Sequence, residues 1–142
     1  MAGYSGTPLA IKLGIKPGHR VVLVGAPDGF EAQLAGLPDG VALERVASTA
    51  PPDGRCDVVV AFTQAAQALE AGFEAWAAAM RDDGGLWIAW PKRASRVPTD
   101  LDENVVRSVG LAAGLVDNKV CAVDATWSGL RFVVRLADRP RR

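Results

Sequence analysis

Histidine and cysteine are scarce in this chain. His19 is the only histidine, and Cys56 and Cys121 are the only cysteines, far apart and without CxxC spacing. A structural zinc site built from sulfur and imidazole takes about four such ligands, so none is expected. A disulfide scaffold is equally out of keeping with so apolar a chain. Ser5 and Ser128 have no histidine to activate them, which excludes a serine–histidine nucleophile. Charge of one sign is lacking too: 16 basic residues face 16 acidic ones, which argues against nucleic acid and an anionic membrane as partners. No apolar run reaches the roughly 18 residues of a membrane span. Met1 to Gly6 has neither a basic start nor an apolar core, so no signal peptide is read and a cytoplasmic location is expected.

What remains is an ordinary globular mixture in 142 residues, 49% apolar and 23% charged, enough for one domain over 1–142. Thr7-Pro8 reads as a helix start for a short helix over 8–13, ended by Gly14. Arg20 to Val24 is an unbroken aliphatic run, the habit of a strand buried on both faces. Phe30 to Leu37 reads as a short helix and Val41 to Val46 as a weaker strand interrupted by Glu44 and Arg45. Asp57 to Phe62 and Leu86 to Trp90 are further buried strands. Between them, Gln64 to Met80 takes helical period, with Leu69, Phe73, Trp76 and Met80 on one stripe. Pro98-Thr99 opens another helix, with Thr99 and Asp102 as a capping box and Leu101, Val105, Val109 and Ala112 as its inner stripe. Val116 to Leu136 reads as two strands, and 138–142 as a basic tail. Strands alternating with helices predict an α/β, three-layer, Rossmann-like sheet of about six strands, mostly parallel with a C-terminal antiparallel strand.

That order resembles the class I methyltransferase fold. Gly14-Ile15-Lys16-Pro17-Gly18 before Arg20 to Gly25 looks like the approach to that family's first strand and nucleotide loop. Met80 to Leu86, with Gly84-Gly85, looks like the entry to its fifth strand. One strand with its helices is missing between Val46 and Asp57. The chain also resembles a short actinobacterial family of small proteins, a domain of unknown function. That likeness lies in Tyr4 to Leu9, Gly25 to Phe30, Gly85 to Lys92 and Asp124 to Leu130, and it implies no activity. The methyltransferase likeness implies S-adenosylmethionine as cofactor, held by a GxGxG loop and an acidic residue after the second strand. Here Gly25 and Gly29 are four apart, Pro27 between them lacks an N–H, and the second strand ends without a carboxylate.

Ligands of open parallel sheets sit beyond the carboxyl ends of the strands. That edge should gather Gly25, Ala26, Asp28, Thr63, Gln64, Lys92, Arg93, Trp127 and Ser128, with Arg131 near it and His19 at the opposite edge. Asp28 either meets a ligand or caps the following helix, the cap being preferred. Lys92, Arg93 and Arg96 either hold a phosphate or carboxylate or form a solvated loop. Trp127 either stacks on a flat ligand or packs a corner. Trp76, Trp87, Trp90 and both cysteines are assigned to the core. The altered loop leads to the expectation of a non-catalytic module for a small anionic or nucleotide-like ligand or a protein partner. A methyltransferase with an atypical loop is the alternative. An unprotected edge at Val41 to Val46 predicts a homodimer.

Overall fold

A computed structural model describes residues 8–47, 52 and 54–139. The elements are helix α1 (Leu9–Lys12), strand β1 (Arg20–Val24), a 3-10 turn (Phe30–Leu34), and strands β2 (Ala42–Val46) and β3 (Cys56–Phe62). Helix α2 (Ala66–Ala79), strand β4 (Met80–Pro91), helix α3 (Glu103–Ala112), and strands β5 (Leu115–Ala122) and β6 (Trp127–Val134) follow. Shorter 3-10 turns cover Arg93–Ser95 and Leu136–Asp138. No helix among the described residues is long and apolar enough to cross a membrane. Thr7 and the tail residues 140–142 lie outside the described residues.

The sheet runs β2-β1-β3-β4-β6-β5. β2, β1, β3 and β4 are parallel, and β6 returns antiparallel between β4 and β5. This is the expected three-layer α/β sheet of six strands. The central strands carry no polar alternation because both faces are covered. Val22, Val24, Val59, Ala61, Leu86 and Ile88 pack beneath α2 and α3, against Leu69, Phe73, Trp76 and Val106. Val21, Leu23, Val58, Val60 and Trp87 pack on the other side against Ala10, Leu13, Phe30 and Leu34. That second layer is thin. A four-residue helix is too short to be stable on propensity, whereas burying Leu13 and Phe30 contributes roughly 1.5–3 kcal/mol each. Packing, helped by the Trp87 indole N–H donating to the Leu13 carbonyl at 3.0 Å, fixes α1.

Several local expectations are corrected. The segment after β1 is a 3-10 turn ending at Leu34, not a helix to Leu37. α3 begins at Glu103, and its cap is Asp102, whose carboxylate accepts from the Val105 amide at 2.8 Å. Thr99 instead donates to the Gln64 carbonyl at 2.5 Å and accepts from the Leu101 amide, so it ties the loop before α3 to α2. The buried positions of α3 are Val106 and Gly110, while Ala112 is exposed. A stripe drawn through apolar side chains passes over Gly110, yet the Phe132 ring fills the place of its missing side chain. Cys56 and the three tryptophans are buried as expected, whereas Cys121 is only partly so.

β2 is the sheet edge the sequence predicts, and ion pairs occupy its charged side chains. Arg20 Nε meets Glu44 at 2.5 Å, and Arg45 pairs with both carboxylate oxygens of Glu31, at 2.8 and 2.6 Å. The hydrogen bond from Arg45, more than its charge alone, holds the Glu31 carboxyl down at about 2. A carboxyl lowered on folding stabilises fully above its ordinary value of 4.5, and that contribution disappears as pH falls through about 2.

Two outcomes follow. Gly110→Ala forces a methyl into the Phe132 ring and should destabilise by about 1–3 kcal/mol in chemical denaturation; unchanged stability would contradict the close approach. Glu31→Gln should lower the melting temperature above pH 5, with the gap to wild type closing as pH falls from about 4.5 towards about 2. A gap independent of pH would show that the Arg45 pair does not hold the turn.

Candidate functional site: the carboxyl edge of the sheet

β1, β3 and β4 end along one edge, where the antiparallel β6 begins. From β1 to β6 the edge spans three strand spacings, about 14 Å. Gly25, Thr63, Lys92, Trp127 and Ser128 all lie on it, as the sequence predicts. Arg131 does not. It pairs in register with Trp87, four residues into β6 and so about 13 Å from the edge. The direction of β6 was read correctly, but its first residue sets the edge and Arg131 is too far along the strand to reach it. His19 lies at the opposite end, just before β1, with its Nδ1 accepting from the Lys16 amide at 3.1 Å.

The loop from Gly25 to Gly29 is shaped by two left-handed glycines, φ 63° at Gly25 and φ 76° at Gly29. A side chain would be strained at either position. The Gly25 amide donates to the Val46 carbonyl at 3.0 Å, which joins the loop to the tip of β2. Arg45 then takes the loop carbonyls: Nη1 donates to Ala26 at 2.6 Å and Nη2 to Pro27 at 2.9 Å. The Phe30 amide shares the Pro27 carbonyl at 3.1 Å. Every described peptide is trans, so the Asp28 N–H points opposite to that bound carbonyl. The amides of Ala26, Asp28 and Gly29 make no hydrogen bond among the described residues. Unengaged amides beside left-handed glycines are the donors from which anion-binding nests are made.

Asp28 caps nothing: Gly29 occupies the N-cap of the 3-10 turn, and no side chain caps it. The preferred reading of Asp28 as a cap is therefore corrected. Its carboxylate is exposed at the tip of the loop and makes no hydrogen bond or ion pair among the described residues. Thr63 is buried; its amide donates to Ala89 at 2.9 Å and its hydroxyl to Ala65 at 3.3 Å. Gln64 reaches the Pro98 carbonyl at 3.4 Å. Lys92 is tied by its amide to Thr126 at 2.8 Å. The charges of Lys92, Arg93 and Arg96 meet no carboxylate in an ion pair among the described residues. Arg96 also holds a left-handed backbone, φ 62°. Trp127 is a packed corner: its ring meets Phe62 edge-on at 5.1 Å, and Phe62 meets Phe30 at 4.9 Å. Ser128 lies in register with Trp90 and Ala122.

Three contributors escaped the sequence reading. Arg45 interrupts an apolar strand, and in the sequence alone it is only a weakness in that strand. Asp100 caps α2 from 34 residues away, accepting from the Ala66 amide at 2.8 Å. Asp124 accepts from the amides of Thr126 and Trp127 at 2.7 and 2.8 Å and from the Gln33 side chain at 3.1 Å. The Asp followed by small polar residues was a legible turn signal; the other two are long-range contacts without a local signature. A separate groove of about 560 Å³ between α2 and α3, with Glu70 and Glu74 on its wall, contains none of the candidate residues.

No protein-family model matches the sequence, and no curated protein does. The likeness to short actinobacterial proteins therefore rests on the sequence stretches alone. Solved structures do match. DhpI in a complex with SAH aligns over 91% of this chain and 84% of its own, with TM-score 0.64 and 14% identity. The TehB-like SAM-dependent methyltransferase from Corynebacterium glutamicum aligns over 94% and 91%, with TM-score 0.61 and 12% identity. Magnesium protoporphyrin IX methyltransferase from Synechocystis PCC 6803 with bound SAM aligns over 84% and 71%, with TM-score 0.60 and 12% identity. At such identities the match concerns the fold. The expectation of a non-catalytic module, drawn from Pro27 and the glycine spacing, is overturned: structures of the same architecture include methyltransferases, one of them with bound SAM, and DhpI with SAH. The fold is that of the class I methyltransferases.

Proposed function

We propose that the chain is a SAM-dependent methyltransferase whose cofactor site is the loop from Gly25 to Gly29. The observation that carries this reading is the set of unengaged Ala26, Asp28 and Gly29 amides, the Asp28 amide turned away from the Pro27 carbonyl that Arg45 holds, on a fold shared with SAM- and SAH-bound structures. Those donors suit the carboxylate end of such a compound, and a side chain added at Gly29 would meet nothing within 4 Å, so the space beside it is open. β2 ends at Val46, and neither Val46 nor Ala47 after it carries a carboxylate. Asp28 is the carboxylate that this loop offers to the sugar hydroxyls.

The bound compound would supply an electrophilic methyl group; this chain supplies position and charge. No histidine stands at the edge to take a proton, which suits an acceptor that is already ionised. Lys92, Arg93 and Arg96 would draw an anionic acceptor, a carboxylate or phosphate ester, to the same edge. The buried Phe30 and Phe62 rings, with the half-buried Trp127, form an apolar floor that limits water there.

Calorimetry with SAH tests the reading. Wild type should bind, and at one hundred times the dissociation constant the fold should gain about 2.7 kcal/mol. Asp28→Asn should raise the dissociation constant about tenfold, as expected for a lost charge-assisted hydrogen bond, without lowering stability in its absence. No heat and no stabilisation with SAH would contradict the assignment.

A further inference from the structure

The β5–β6 pair carries positive charge along the face that packs towards α1. Lys119 and Arg131 are register partners, and the Lys119 ammonium donates to the Lys12 carbonyl at 2.9 Å. Arg139 donates to the Val134 carbonyl at 3.2 Å, and its charge reaches Arg131. The Arg131 guanidinium lies over Gly85, where any β-carbon would collide with it. It is half-buried, yet it forms no ion pair among the described residues. Among the described residues its one hydrogen bond runs from Nη1 to the Asn118 side-chain oxygen at 3.3 Å. No fully enclosed side-chain donor among the described residues lacks a partner, so its remaining nitrogens are not sealed from solvent. Burial, and then Arg139, push its pKa down. Cys121, on the same strand pair, is raised by burial and otherwise feels only Lys12, Lys119 and Lys92.

A half-buried cation without a counter-ion is costly to keep, and Gly85 is the residue that makes room for it. We propose that Arg131 anchors an oxyanion site for a phosphate group, with Lys119 and Arg139 as flanking charges. Four residues into β6, it is separate from the carboxyl edge, and it stands whether or not the chain binds SAM. A guanidinium has five donors and Arg131 engages one among the described residues, which leaves a planar fork that fits two phosphate oxygens at once. The phosphate could be free, or part of a nucleotide or nucleic-acid strand; the chemistry at Arg131 is the same.

The test is thermal unfolding and calorimetry of the full chain with inorganic phosphate, adenosine monophosphate and a short single-stranded oligonucleotide, against chloride at equal ionic strength. The melting temperature should rise with at least one probe, and Arg131→Gln should weaken that binding about tenfold. A shift with phosphate or the mononucleotide identifies a free ligand; one confined to the oligonucleotide, falling steeply with salt, identifies a strand backbone. Should Arg131→Gln fail to fold, Arg131→Lys keeps the charge but loses the fork, and the shift should fall by at least about half. No shift with any probe, or an equal shift in the folded Arg131 variant, would overturn the proposal.

Discussion

Arg45 is the contact on which the functional edge depends. From an edge strand it binds both oxygens of Glu31 and the carbonyls of Ala26 and Pro27. By taking the Pro27 carbonyl it leaves the Asp28 N–H of the same trans peptide facing away and unspent. Glycine at positions 25 and 29 provides the backbone turns; Arg45 fixes the Ala26 and Pro27 carbonyls between them. The proline that removes one donor does not remove the donor set, because Ala26, Asp28 and Gly29 each retain an amide.

Apolar periodicity conveyed most of the architecture. Uninterrupted runs at Val21 to Val24 and Val58 to Phe62 announce strands covered on both faces, and Leu69, Phe73 and Trp76 announce the helix above them. The less regular segments were less legible, for identifiable reasons. Phe30 and Leu34 anchor a single 3-10 turn as well as they would a helix. Gly110 carries no hydrophobic signal, although Phe132 requires it to be small. Thr99 imitates a cap in sequence and is drawn off by the Gln64 carbonyl.

At the candidate site, strand ends were legible and side-chain commitments were not. Knowing where β1, β3, β4 and β6 meet the edge is enough to collect Gly25, Thr63, Lys92 and Trp127. Whether Asp28 caps a helix or stands open depends on the turn that follows it. Arg131 is expected near the edge because it comes early in the returning strand, yet the rise of four residues places it well inside the sheet. The composition also concealed an asymmetry: zero net charge over the chain coexists with cations along the β5–β6 face and acids such as Glu70, Glu74 and Glu103 on α2 and α3.

The central claim, that the loop after β1 keeps its amides for a ligand, is tested most directly by an amide-resolved NMR titration with SAH. The amide resonances of Ala26, Asp28 and Gly29 should move together and saturate, while those of His19 and Arg131 stay in place. Saturating SAH that leaves those three amides unmoved would contradict it.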